Sequence, residues 1–334
     1  MTDAYWLRSA NGHPRYVAIG GRAGRLYSDL DYLMGARGRL ERQALRLAEP
    51  LLRSSADLPL EALEAVDAVS RSVDGLHQAL LLWTGYYKQT WLVGSVVDTG
   101  GRRSFCKVFK VASETAEELH RRDELAKVLP ASMKLPRGRS GTEGVVLYEL
   151  VQRPSRRRRP SLQELADLSL QLGATALRSP ENSDHLSAPS AGSATAEALC
   201  ARYGCATGEA LMGSRSFHPS VLVVAHGDFT PWNMICAVGG ELYAVDFEAV
   251  GLWPPYYDFV HLWSQVATLA GKELDVAALV RRLGQSGVDG PANVVRRALA
   301  FDVIETAQAF LAYQENRHRT GRALDRKVSA WTRV

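Results

Sequence analysis

Cysteine is scarce in this chain: four residues in 334, Cys106, Cys200, Cys205 and Cys236, with no CxxC pair among them. That count and spacing exclude a disulfide-stapled scaffold and a thiolate zinc site, and leave reduced thiols as the default. An excess of one charge is missing too. Lys plus Arg number 40 against 36 Asp plus Glu, a net +4, whereas nucleic-acid binders more often carry a strong basic excess. Long apolar runs are absent, since no window reaches the 18 or so residues of a membrane span. The opening MTDAYWLRSANGHPRYVAIGG is broken by charge and turn residues where a signal peptide would need an apolar core. The expectation is a cytoplasmic protein without a membrane span or a nucleic-acid partner. At 46% apolar residues the chain can bury a large core, so disorder is excluded, and its length suits two domains or one two-lobed unit.

Residues 1–78 read as an amino-terminal extension. Short strands come first (Arg15–Gly20, Arg25–Tyr32), and then two helices between Ala36 and Leu76, where leucines and valines recur at helical spacing around Pro50 and Pro59. Residues 79–151 have a different texture. Ala79–Trp83, Thr90–Val97 and Arg103–Val111 are β-rich runs separated by TGYYKQ and DTGGR. A charged helix Ser113–Leu129 and a strand Gly144–Val151 follow. From 152 to 334 the chain is mostly helical. It begins with a basic link, RPSRRRRPS, after which Ser161 and Glu164 form a capping box opening a helix to about Leu177. The stretch Arg178–Ala198, rich in Ser, Ala, Asn and Pro, reads mostly as loop.

One β-rich island interrupts the helices: VLVVAHGDFTPWNMICAVGGELYAVDFEAVG, Val221 to Gly251. An apolar strand delivers His226, Gly227 and Asp228. Four residues on stands Asn233, and a hairpin turning at Gly239 and Gly240 returns a strand that ends in Asp246. The pattern brings two carboxylates and an amide to one end of a hairpin. Phosphoryl transfer from a nucleotide needs such a set, because it depends on neutralising phosphate charge with a divalent metal and on positioning an attacking hydroxyl.

His226, Asp228 and Asn233 in H-x-D-x-x-x-x-N, with Asp246 in VDFE thirteen residues further on, resemble the catalytic segment of the aminoglycoside phosphotransferase and choline kinase-like family, relatives of protein kinases. The upstream order of strand, strand, strand, helix, strand resembles that family's small lobe. The resemblance spans about residues 79–334 and leaves the first 78 unexplained. It implies an α+β, protein kinase-like two-lobed fold: a small antiparallel sheet lobe over 79–151 and a larger helical lobe over 152–334, with the extension in front.

The resemblance also implies roles. Asp228 would be the catalytic base that orients the acceptor hydroxyl. Asn233 and Asp246 would be ligands of Mg2+, which favours hard oxygen donors and keeps phosphate and water in its shell. His226 would prop the loop by hydrogen bonding, and Asp258, in WPPYYDFVHLW, would support it. Glu248 reads either as a further carboxylate near the metal or as a solvent-facing side chain. For ATP or GTP, RSFCKVFKV offers Lys107 and Lys110, which strand periodicity places on opposite faces; the FxKV pattern favours Lys107. Its glutamate partner comes from Glu114, Glu117, Glu118 and Glu124. Counting to Leu135 and Pro136 puts Glu124 in register, with Glu118 next. The base would lie along the backbone of Glu149, Leu150 and Val151. Gly85, in Thr84–Gln89, would cover the phosphates, although a protein kinase has three glycines there.

The acceptor is less constrained, because the catalytic set asks only for a hydroxyl. Residues 291–334 carry eight basic residues (Arg296, Arg297, Arg317, Arg319, Arg322, Arg326, Lys327, Arg333) against four acidic ones, and Arg156–Arg159 add to them. A neutral or anionic acceptor fits that balance better than a polycation. The candidates are a sugar, glycan or natural-product hydroxyl, or a Ser/Thr hydroxyl of a peptide precursor. A non-catalytic kinase-like binding module and a nucleotidyl transferase are the alternatives.

Overall fold

In a computed structural model the described residues are 4–8, 14–20, 53–54, 60–83, 90–142, 144–151, 160–178, 186, 188, 192–214, 222–312 and 317–334. They form two compact units, one of residues 1–120 with 136–152, the other of residues 121–135 with 153–334.

The first unit is built on an eight-stranded sheet. Its strands are β1 (Ala4–Arg8), β2 (Pro14–Ile19), β3 (Arg53–Ser54), β4 (Leu76–Trp83), β5 (Thr90–Asp98), β6 (Arg103–Phe109), β8 (Gly138–Ser140) and β9 (Val145–Glu149), in the order β3-β1-β2-β4-β5-β6-β9-β8. All of its pairings are antiparallel. Helix α1 (Leu60–Ser72) covers one face. Its Ala62, Ala65, Val66 and Val69 recur at i, i+3, i+4 and i+7, the spacing of a single stripe. That stripe packs on Leu81, Leu92, Val96, Cys106, Val108, Val145 and Leu147. The helix is pinned at its end, where Thr142 Oγ1 donates to the Ala68 carbonyl at 3.0 Å and the Thr142 N–H donates to Ser72 Oγ at 2.9 Å.

The sequence reading set residues 1–78 apart, but their described strands belong to this sheet: Tyr16–Ile19 pair with Leu82–Ala79. Of the two helices expected between Ala36 and Leu76, α1 is formed and the one before Pro50 lies outside the described residues, while Arg53–Ser54 are a strand. The strand expected at Arg25–Tyr32 lies outside the described residues. Helix α2 (Ser113–Val128) follows β6 and enters the second unit after His120.

Helices dominate the second unit: α3 (Leu162–Arg178), α4 (Ser193–Tyr203), α5 (Cys205–Gly213), α6 (Tyr257–Leu269), α7 (Val276–Gln285), α8 (Pro291–Ala312) and α9 (Arg317–Thr332). The expected capping box opens α3, with Ser161 N–H donating to Glu164 Oε2 at 2.7 Å and Glu164 N–H to Ser161 Oγ at 3.1 Å. Short strands carry the loops between helices. β10 (Val223–Ala225) pairs with β13 (Gly251–Trp253), β11 (Met234–Cys236) with β12 (Leu242–Ala244), and β12 runs parallel to β7 (Met133–Lys134). Among the described residues no helix is long and apolar enough to cross a membrane.

Candidate active site

Strand β10 ends at Ala225, and His226, Gly227 and Asp228 leave it in a bent segment held by side chains. Gly227 has φ 80°, and a Cβ there would lie 2.0 Å from the Ala249 carbonyl oxygen. Both the conformation and the close approach require glycine. Asp258, in the first turn of α6, accepts the His226 N–H (2.8 Å) and the Gly227 N–H (2.9 Å), one on each carboxylate oxygen. Burial pushes its carboxyl upward, and neighbouring imidazoles and these two N–H donors only partly offset it. His226 is fully buried. Its Nε2 lies 3.0 Å from the Val245 carbonyl and its Nδ1 3.3 Å from the Asp228 N–H. A carbonyl can only accept and an amide N–H only donate, so Nε2 is assigned as the donor and Nδ1 as the acceptor. His226 therefore staples the loop after β10 to the chain after β12.

The hairpin β11–β12 sets Asp246 one residue beyond the partner of Asn233: Met234 pairs with Ala244, and Val245 N–H donates to the Asn233 carbonyl at 3.0 Å. Asn233 Nδ2 donates to Asp228 twice, to its main-chain carbonyl and to Oδ2, both at 2.9 Å. With the amide nitrogen so engaged, Oδ1 is the metal-seeking end of that side chain. Asp246 has φ 68° and ψ 79°, a left-handed conformation uncommon outside glycine and found at sites where function repays strain. Glu248 sits half-buried in the 3-10 turn that follows. Among the described residues no cluster of three or more His, Cys, Asp or Glu could hold a metal by itself. An amide oxygen and a carboxylate are nonetheless a donor set that fits Mg2+, whose other ligands are water and phosphate.

Asp228 has a second anchor that sequence reasoning missed. His261, on α6, has Nε2 3.2 Å from Asp228 Oδ1 and Nδ1 2.9 Å from Asp302 Oδ1. Asp302, on α8, is wholly buried. It accepts from Lys327 Nζ of α9 at 2.8 Å and from the Ser264 hydroxyl. Burial alone would lower the His261 pKa, yet the bonds to the two carboxylates raise it to about 9. Asp302 is held below the usual carboxylate range: burial opposes this, and the Lys327 and His261 charges outweigh it. Burial likewise pushes Asp228 up, and the His261 bond and charge bring the net shift down. Its side chain is 37% exposed, so the carboxylate still reaches solvent. The signal available in the sequence was slight: His261 and Asp302 interrupt the apolar stretches Phe259–Leu262 and Ala298–Ile304.

In the first unit Lys107 and Glu118 are buried, 5% and 0% exposed, and bonded at 2.8 Å; Tyr148 donates its hydroxyl to the same Glu118 oxygen at 3.0 Å. This corrects the register that favoured Glu124. On a helix, six residues carry Glu124 about 9 Å along the axis and about 240° around it, where it pairs with Lys127 at 2.7 Å. Glu118 instead shares the inward face with Thr115 and Leu125. Lys110 stands just beyond β6, half-exposed. Glu149 ends β9 with its N–H already donated to the Arg137 carbonyl at 2.9 Å. That donor is spent, so of the Glu149 main chain the carbonyl is what remains for a base edge. Val151 is buried just past the strand, while Gly85 and Arg156–Arg159 lie outside the described residues, as do the side chains of Arg317 and Arg319.

The remaining C-terminal basic residues divide. Arg296 lies over the Trp331 ring at 5.1 Å, Arg333 pairs with Glu273, and Lys327 is spent on Asp302. Arg322 and Arg326 line a cavity of about 550 Å3 with His261, Asp302, Glu305 and Lys327.

Residues 209–325 match the model of a family described as "Phosphotransferase enzyme family". No curated protein matches the chain. Solved structures with similar folds include a choline kinase from Streptococcus pneumoniae (13% identity, TM-score 0.51, covering 82% of this chain and 99% of that one). A macrolide 2'-phosphotransferase type I is also similar (14%, 0.50, 81% and 98%), as is an ethanolamine kinase from Plasmodium vivax (10%, 0.50, 78% and 83%). At such identities the likeness is one of fold, the α+β, protein kinase-like fold expected from the order of strands and helices. The family match spans the loop geometry above, from β10 through the end of α8, so the resemblance drawn from His226, Asp228, Asn233 and Asp246 holds: the chain has a protein kinase-like fold, and its residues 209–325 are similar to the phosphotransferase enzyme family.

Proposed function

We propose that the protein is a Mg2+-dependent small-molecule kinase moving the γ-phosphoryl group of ATP or GTP to an alcohol, with Asp228 as the base. The observation that carries this reading is the carboxylate of Asp228 itself. It is part-exposed, yet each oxygen has its own donor, Oδ2 from Asn233 and Oδ1 from His261. A carboxylate with a lowered pKa is a weak base. Phosphoryl transfer has little need of a strong one, because its transition state is loose and catalysis rests on positioning and charge neutralisation. Asp228 would orient the acceptor hydroxyl and take its proton late. Asn233 Oδ1 and Asp246 would hold the metal, which neutralises phosphate charge when bound. Lys107, with its orientation set by Glu118, would serve the triphosphate. Asp258 and His226 touch no reactant in this scheme; they hold the loop.

A sugar, glycan or natural-product hydroxyl, neutral or anionic, is the acceptor we favour. Support comes from cations around α9, Arg322 and Arg326, and it is reduced by the internal pairing of Lys327. The test is a mass-shift screen of alcohols, a Ser/Thr peptide panel and aminoglycosides with ATP and GTP. A gain of one phosphate is expected, lost on chelation of Mg2+ and lowered about 10² to 10⁴-fold in Asp228→Asn. Transfer of a nucleoside monophosphate, or undiminished turnover in that variant, would overturn the reading, and phosphorylated kanamycin would overturn the acceptor preference.

A further inference from the structure

We propose that His261 is a positioning residue for Asp228, a buried cationic strut that carries the carboxylate on one ring nitrogen and is itself braced on the other by Asp302, Lys327 and Ser264. This rests on the kinase reading above and adds to it four side chains from three helices, outside the loop motif.

Asp228 projects from a loop, and Asn233 fixes only Oδ2, about which the carboxylate plane could still turn. A second donor on Oδ1 removes that freedom. The imidazole suits the task because its own orientation is determined from every side. Nδ1 faces Asp302 Oδ1 at 2.9 Å, and the ring stacks on Tyr257 at 5.3 Å and 24°. Tyr257 in turn stacks on Trp253 at 4.1 Å. The Tyr257 hydroxyl oxygen lies 3.3 Å from the same Nδ1. Asp302 cannot swing, since Ser264 holds its other oxygen and Lys327 shares the first.

The bland alternative is a core histidine that merely satisfies a buried carboxylate. Asp302 does not need it. Lys327 already supplies a full countercharge at 2.8 Å, and with the Ser264 hydroxyl each Asp302 oxygen has a donor without His261. Within hydrogen-bond reach of the ring are two carboxylates, Asp228 and Asp302; Lys327 and Asp258 stand behind them, and Glu305, Arg322 and Arg326 line the adjoining cavity, so the cation placed directly against Asp228 is the His261 imidazolium. Its cost of burial is met on the Asp302 side and its remaining N–H is aimed at the base.

The experiment uses the full chain and Mg-ATP turnover, with water as acceptor if the screen has not supplied an alcohol. His261→Leu keeps bulk and removes both donors; His261→Gln keeps one N–H. Expected for Leu is a fall in kcat of about 100-fold, the scale of a base displaced by about 1 Å. Nucleotide affinity by calorimetry should stay within about twofold, and Gln should recover a substantial part of kcat. Imidazole added to His261→Gly should also restore turnover, because the ring borders the cavity of about 550 Å3; thiazole, of equal size without an N–H, should not. Wild-type kcat in His261→Leu, or equal rescue by thiazole, would reduce His261 to a packing residue. If the Leu variant fails to fold, 15N NMR of the intact protein decides. Two protonated ring nitrogens on His261, with the Nε2–H resonance displaced by Asp228→Asn, are expected, and an unprotonated Nε2 overturns the proposal. A wild type without nucleotide turnover sinks the kinase reading and the positioning role together, whereas turnover that depends on Asp228 but not on His261 sinks only the latter.

Discussion

Raising the pH from 6.5 to 8.5 should destabilise the second unit through His261 alone. In the folded protein the imidazole keeps its proton to about pH 9, whereas in the unfolded chain it releases it near the ordinary histidine value of 6.5. Below pH 6.5 both states hold the proton and the full stabilisation is present. Above it the unfolded state binds one proton fewer, so stability falls as pH rises through the folded value. The slope is about 1.4 kcal/mol per pH unit and the whole effect of order 3 kcal/mol. The readout is the urea midpoint, followed through tryptophan fluorescence, to which Trp253, stacked on the Tyr257 beside His261, contributes. Cys106 confuses the upper end, since burial pushes its thiol up to about 12 while an unfolded cysteine ionises near 8.5. Comparing the wild type with His261→Gln cancels that contribution. The difference between them should shrink steadily from pH 6.5 to 8.5. A difference that does not change with pH would refute the charged assignment of His261 and the cause given for it.

Two further outcomes test the frame around the site. Lys107→Met leaves Glu118 buried without its countercharge and should cost about 3–5 kcal/mol in denaturant unfolding, while Lys107→Met with Glu118→Leu should recover most of that, less about 1 kcal/mol for the acceptor lost by Tyr148; a double variant as unstable as the single one contradicts the pairing. Gly227→Ala must move the Ala249 carbonyl, now 2.0 Å from the added Cβ, so both turnover and the melting temperature should fall, and a variant with normal values for both would show that the backbone there can yield.

What could be read in advance was local. Asp228 and Asn233 are five residues apart and bonded to each other, Asp246 follows the strand paired with the one that starts after Asn233, and the Ser161–Glu164 box spans one helical turn. Glu118 escaped because the choice between glutamates on α2 is made by how the helix is rotated against the sheet, which a charged sequence with a weak apolar stripe leaves open. His261, Asp302 and Lys327 escaped for a different reason. They come from α6, α8 and α9, separated by 41 and 25 residues along the chain, and no periodicity links them. The joining of β2 to β4 belongs to the same class, pairing residues 16–19 with 79–82.

That pairing decides who the sheet's neighbours are. Without β2, the row Ala79–Leu82 would present its amide and carbonyl groups outward on one of the longest and most apolar strands in the sheet, an invitation to any other extended chain. With the amino-terminal hairpin in place the sheet, among the described residues, instead finishes at one side in the two residues of β3 and at the other in the three of β8. Trimming the chain back to residue 79 would thus open that edge, which β1 and β2 keep covered.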